Sequence, residues 1–267
     1  MSVPSFRAPA VAGLFYPADA ATLAATVGSM LAAAHPSPLM PKALIVPHAG
    51  YVYSGPVAAS AYALLRPLAK TIRRVVLFGP AHRVPVAALA ATSAASFATP
   101  LGQVPVDGTA IAAAAMLAQV KISDPAHAEE HSLEVQLPFL QTVLEDFSIA
   151  PFVVGGASGS QVAEVIELLW GGPETLIVVS SDLSHYLPYA MARQIDSATA
   201  DTVLTLRSLA HHEQACGAAA INGLVEAARR RHLRPKLLDL RNSGDTAGDK
   251  SRVVGYAAFA FTETDHG

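Results

Sequence analysis

Three points along the chain set a reactive side chain just after a short run of branched apolar residues. The run 43–46 ends at Pro47 and is followed by His48. The run 73–78 gives way to GPAHR, residues 79–83, which contains His82. The run 176–179 leads into SSDLSHY, which carries Asp182 and His185. Neutral imidazole is the commonest transition-metal ligand and the side chain best poised for proton transfer at neutral pH. Two histidines and a third ligand would hold an ion with open positions, as in catalytic zinc and non-haem iron sites. Spacing leaves the third ligand open. Cys216 could supply a thiolate, helped by a helix N-terminus beside Gly217. Asp182 and Glu134 are its carboxylate rivals, and a buried cysteine serving only as a small hydrophobe is the plainer alternative.

A further cluster is HAEEHSLE, residues 127–134. His127 and His131 stand four apart, the spacing of a ligand pair on one helix face, but the glutamates do not fall as in HExxH. Glu129 and Glu130 read as a solvated helix face, whereas His131 and Glu134 could share an inward one. Two other motifs fail. GDTAGDKS, residues 244–251, lacks the glycine before lysine and the following helix of a phosphate loop, and reads as a turn at a pocket mouth. Ser180, Ser181 and Ser184 sit in no GxSxG elbow.

These residues need a scaffold that gathers them. Short, continuously apolar strands bounded by Pro and Gly are typical of a buried parallel sheet. In such sheets ligands bind beyond the carboxyl ends of the strands. Helices are predicted at 20–34, capped by Asp19, at 57–68 after a GYVYSGP turn, after Asp107, and near Pro138. More follow at 161–170, 190–209 and 211–231. Pro36, Pro38 and Pro41 form a stiff connector into the His48 strand. Further strands are predicted at 147–154, at 237–240 and at 252–261, the last as an antiparallel edge. Phe15 and Tyr16 pin the N-terminal arm, and Tyr51 and Tyr53 wall the pocket. The expected class is α/β, a single domain over 1–267 with a mostly parallel central sheet flanked by helices.

Composition narrows the function. The 267 residues are 52% hydrophobic and 15% charged, with a net charge of −3. A large core is expected, and the lack of a basic stripe argues against nucleic acid as partner. The basic cluster 229–231 reads as a solvated helix end. No run has the length of a membrane span and no secretory signal is evident. One cysteine excludes an internal disulfide framework and fits a reducing, cytoplasmic setting.

LIVPHAGYVYSGPVAASAY, GPAHRVP, EEHSLEVQLPFL, VVSSDLSHY, ACGAAAI and NSGDTAGDKSRVVGYAA follow one another along nearly the whole chain. Together they resemble the Memo family, whose prokaryotic members are called AmmeMemoRadiSam system protein B. That family is similar in fold to the class III extradiol ring-cleaving dioxygenases, a LigB-type α/β sandwich. The resemblance implies a metal site of His48, His82 and Cys216 holding Fe(II) or copper, with Asp182 and His185 nearby, and redox or dioxygenase-like chemistry. His185 would serve as general base or hydrogen-bond donor, oriented by Asp182, with His131 and Glu134 as supporting groups. A thiolate in place of the dioxygenases' carboxylate sets ring cleavage itself apart. The substrate is an unknown small molecule or peptide, and zinc is the alternative ion, for hydrolysis. The resemblance also implies radical SAM and AMMECR1-like partners, so a binding role without turnover is the alternative function.

Overall fold

The structure, a computed structural model, describes residues 6–35 and 38–263. Pro36 of the expected connector lies outside the described residues. A small sheet joins β1 (Phe6–Arg7), β5 (Ser96–Thr99) and β6 (Gly102–Pro105). The large sheet contains β2 (Pro41–Val46), β3 (Arg74–Pro80), β4 (Leu89–Ala91), β7 (Val120–Ile122) and β8 (Ser148–Val154). It is completed by β9 (Thr175–Ser180), β10 (His185–Leu187), β11 (Arg234–Asn242) and β12 (Val253–Thr262). Its order is β10-β12-β2-β9-β3-β8-β4-β7, with β11 also on β12.

The centre is parallel: β2, β9, β3 and β8 run side by side in one direction. Their residues are buried almost without exception, as expected for strands covered on both faces. One core cluster packs Leu23, Val27, Tyr62 and Phe139 against one face. The other packs Ile166, Val203, Leu224 and Ala228 against the opposite face.

Two expectations need correction. β12 is antiparallel, as foreseen, but it is no edge: β2 and β11 flank it on opposite sides, and β10 pairs with its first residues. Its run from Val253 to Phe261 is buried apart from the half-buried Val254, which an exposed edge would not allow. The helix expected at 57–68 instead begins at Tyr51 and ends at Tyr62, followed by a tight 3-10 stretch, Ala63–Leu68. Pro56 lies inside it and removes one bond, the one to the carbonyl of Val52. Val52 is 62% exposed, so water can satisfy that carbonyl.

The N-terminal arm is tied to the short helix His131–Glu134 by one buried ion pair. Arg7 and the wholly buried Glu134 pair directly. Arg7 also donates from Nε to the carbonyl of His127 at 2.9 Å and from Nη2 to that of Glu130 at 2.6 Å. Glu134 further accepts from the Ala10 and Val11 backbone N–H groups at 2.7 and 3.0 Å, and from the Tyr16 hydroxyl at 2.5 Å. Removing one partner strands a buried charge, at a cost of about 3–5 kcal/mol, whereas replacing both by apolar groups costs far less. Arg7→Met and Glu134→Leu should each lower unfolding free energy in urea by that amount, and the double variant by less than their sum. Additive losses would mean that the pair is not coupled.

Candidate metal centre

Three adjacent strands end level. Val46 of β2 is in register with Ser180 of β9, and Phe78 of β3 with Val179. His48, His82 and Asp182 each stand two residues beyond their strand, so the three converge above the centre of the sheet. The repeated spacing in the sequence is therefore a repeated place in space.

Hydrogen bonds fix which nitrogen of each imidazole is free. The Ser180 hydroxyl donates its single proton to the Ser132 carbonyl at 2.6 Å. Its remaining lone pairs accept from the Gln136 amide at 2.8 Å and from His48 Nδ1 at 2.9 Å. Gln136 cannot be turned round, because the same amide nitrogen donates to the Pro47 carbonyl at 2.9 Å. His48 therefore carries its proton on Nδ1 and presents a lone pair at Nε2. His82 does likewise: Nδ1 lies 2.9 Å from Glu130 Oε1, and its backbone N–H donates to Oε2 at 2.6 Å. His185 donates from Nδ1 to the Leu183 carbonyl at 2.8 Å. Three imidazoles are thus held in one tautomer, each with Nε2 free to ligate an ion or accept a proton.

Glu130 was expected on a solvated face and is instead 2% exposed; only Glu129 is solvated. Burial works against its ionisation. Hydrogen bonds from the His82 ring and backbone and from Ser132 N–H outweigh that and bring its pKa down to about 2. Asp182 also differs from expectation, for it does not orient His185. Its carboxylate accepts from the His48 backbone N–H at 2.8 Å and so shapes the loop after β2. Burial pushes its pKa up to about 7, although backbone hydrogen bonds from His48 and Ala49 oppose the rise.

The ligand atoms of His48, His82 and His131 all lie within 4.8 Å of one another, a group that could hold a metal ion. His131 reaches it because Gly79 leaves room: a side chain there would strike the Ser132 hydroxyl at 2.6 Å. Burial, above all, lowers its pKa to about 4, and its Nδ1 has no hydrogen-bond partner. Cys216 joins through His48, with Sγ 3.3 Å from His48 Nε2, and accepts from the Asp182 backbone N–H at 3.3 Å. Gly217 permits this approach, since a side chain there would meet Ser181 at 2.7 Å. Burial first, then the Asp182 charge, pushes the thiol up to about 12. The thiol proton therefore stays on sulfur and can point at His48 Nε2. A metal ion would displace that proton.

Above these groups lies an open cavity of about 590 Å³, walled by Phe15, Tyr53, Tyr186 and Tyr256. Ser243, Gly248 and Asp249 form part of its rim, as the turn reading of that loop anticipates. His82, His185 and Tyr186 also border a second cavity of about 460 Å³, on the side of Cys216 and Glu213. Burial lowers the pKa of His48 well below the usual range and that of His185 as well, so these two imidazoles are neutral near pH 7. Three expected residues lie elsewhere. Glu134 holds the N-terminal arm. Tyr51 is buried and donates to the Val135 carbonyl at 2.7 Å. His127 lies on a separate short helix from His131, with Nε2 3.0 Å from the Ala90 carbonyl. Sequence reasoning missed Glu130, Ser180 and Gln136 as positioning groups. For Glu130 a signal existed, in its nearness to His131 within one short block.

Two outcomes follow from these protonation states. In metal-free protein at pH 7, ring ¹⁵N spectra should find His48 and His185 protonated at Nδ1 only, and an Nε2–H tautomer at His48 would contradict the Ser180 network. Burial also holds His127 at about 4. An unfolded chain protonates histidine near 6.5. Between about pH 6.5 and 4 the unfolded state thus takes up a proton that the folded state refuses, and stability falls as pH drops. His127→Gln should make the fall in unfolding free energy shallower across that window by up to about 1.4 kcal/mol per pH unit, with no difference in slope above pH 7.

A family model described as Memo-like protein matches residues 7–260. A MEMO1 family protein of Archaeoglobus fulgidus is 36% identical over 270 residues, spanning 96% of this chain and 99% of its own. One from Ignicoccus hospitalis is 37% identical over 285 residues, spanning 96% and 98%. One from Aquifex aeolicus is 34% identical over 271 residues, spanning 96% and 98%. No helix among the described residues is long and apolar enough to cross a membrane. A likeness that runs from the Arg7 tether to β12 takes in every element that builds the histidine cluster, and the chain belongs to the Memo-like protein family, with its LigB-like α/β fold.

Proposed function

We propose that this chain binds one redox-active ion, Fe(II) or copper, through His48, His82 and Cys216, and performs oxidoreductase chemistry related to that of the extradiol dioxygenases on an unidentified substrate. The observation that carries this reading is the tautomer lock on His48 and His82, which leaves two Nε2 lone pairs facing the cavity with Cys216 beside one of them. A His₂Cys set suits both iron and copper, and zinc is the hydrolytic alternative. When bound, the ion would supply redox capacity and open coordination positions.

The chain's own groups have separable tasks. His185 Nε2 can accept a proton from a substrate hydroxyl, because Nδ1 is committed to the Leu183 carbonyl. Asp182, at about 7, can hold or release a proton under working conditions. Phe15 packs against His131 with the rings tilted and their centroids 4.7 Å apart, and limits water on that side. Glu130 orients His82, and Ser180 orients His48.

A second ligand set is His48, His82 and His131, favoured by the closeness of their ligand atoms; His131 Nδ1 makes no hydrogen bond and lies 3.4 Å from Glu130 Oε1. A third reading is a binding component without turnover, acting with radical SAM and AMMECR1-like proteins in the cytoplasm as one domain. Leu14 and Val52, exposed by 80% and 62%, are apolar side chains of the kind a partner covers. Metal analysis of anaerobically purified protein separates these readings. Near-stoichiometric iron or copper is expected in the parent, with loss of at least tenfold in His48→Ala and Cys216→Ala. Retention in Cys216→Ala with loss in His131→Ala would move the third ligand to His131. Low metal in all four proteins would leave the binding role in the lead.

A further inference from the structure

One cation at the mouth of the large cavity has no carboxylate partner among the described residues. Arg252 is exposed and borders the cavity, and its only described interaction is with the Tyr186 ring, 5.1 Å from the centroid. Two other cations lie nearby. Arg241 pairs with Asp239, and Lys250 lies 4.7 Å over the Tyr189 ring. The acids at this end are occupied too. Asp249 accepts from Ser251 N–H at 2.6 Å and from its hydroxyl at 3.0 Å. Asp245 accepts from the Tyr189 hydroxyl at 2.5 Å and from Asn242 N–H at 3.0 Å. Asp182 lines the cavity floor, almost wholly buried, and accepts from the backbone N–H of His48.

The partner that supports Arg252 is itself unusual. Tyr186 has φ of 59°, in the left-handed region that tyrosine seldom adopts. It sits where the pairing of β10 with β12 slips, between His185 and Leu187. Such irregularities re-aim a side chain and cluster at functional sites. The outcome is a tyrosine 62% exposed at the border of both cavities, with a guanidinium against its ring. Stacking engages the flat face of the guanidinium and leaves its N–H edge free to grip two oxygens of one anionic group. Phe15, Tyr53 and Tyr256 offer flat apolar surface for a planar skeleton.

We propose that the substrate of this cavity is a planar acid, whose carboxylate or phosphate pairs with Arg252 at the rim while its ring lies between the aromatic walls over the histidines. This rests on the cavity being the substrate site, but not on a metal being bound.

The test uses full-length protein treated with chelator, titrated with benzoate, phenyl phosphate and benzyl alcohol and followed by NMR, including the Arg252 Nε–H signal. Both acids should bind at least about tenfold more tightly than the alcohol, as for a hydrogen bond between charged groups. The tighter of the two identifies carboxylate or phosphate. Arg252→Gln should abolish the preference and leave alcohol binding unchanged, and Arg252→Lys should keep part of it. Equal affinity for all three probes, a preference that survives Arg252→Gln, or no binding at all would overturn the proposal. None of these outcomes bears on metal content, and a protein without metal would still give a clear answer here.

Discussion

The site depends on a hydroxyl with only one proton to give. Ser180 ends β9, which lies between β2 and β3, and donates to the Ser132 carbonyl. It must therefore accept from both His48 and Gln136. That asymmetry joins three segments distant in sequence: the loop after β2, the helical block 131–143 and β9 itself. It also decides the chemistry of His48, because an imidazole bound through Nδ1–H has nothing left at Nε2 but a lone pair. A threonine could imitate the hydrogen bonds, but its extra methyl group would need space in a fully packed core.

Around this point the protein arranges neutrality. Burial keeps His48, His131 and His185 uncharged and the thiol of Cys216 protonated, and it keeps Asp182 close to half-ionised at neutral pH. The buried full charge beside the cluster, Glu130, is satisfied by three N–H groups and turned toward His82. A floor of lone pairs with little net charge suits the capture of a cation, and it leaves recognition of an acid to the periphery.

Much of this was legible in the sequence for one geometric reason. In a parallel sheet the carboxyl ends of neighbouring strands lie on one edge, so a reactive residue repeated after each apolar run becomes a cluster. His48, His82, Asp182 and His185 were found in this way. Supporting residues obey no such rule. Glu130 looks like any surface glutamate until the fold turns it inward, and Glu134 looks like a site residue until Arg7, more than a hundred positions away, claims it. Tyr51 and Tyr53 are separated by one residue, yet a helix started at Gly50 sends the first into the core and the second to the cavity. Three-dimensional partners, absent from local pattern, made those choices. The same holds for β12, whose apolar run is equally compatible with an edge and an interior strand.

The contacts that make the centre span the chain: Arg7 meets Glu134, His48 meets Cys216, and β2 lies between β9 and β12. During synthesis the strand bearing His48 would leave the ribosome long before either neighbour exists. Its apolar edges would wait unpaired for residues 175–180 and then 253–262, an arrangement of high contact order that slows folding and invites chaperones. A nascent fragment that ends before β12 lacks a neighbour of the His48 strand, so an ion held as proposed would meet a finished centre only late in synthesis. A truncation that removes only the last strand would take away the partner of both β2 and β11, and with it the scaffold of the site.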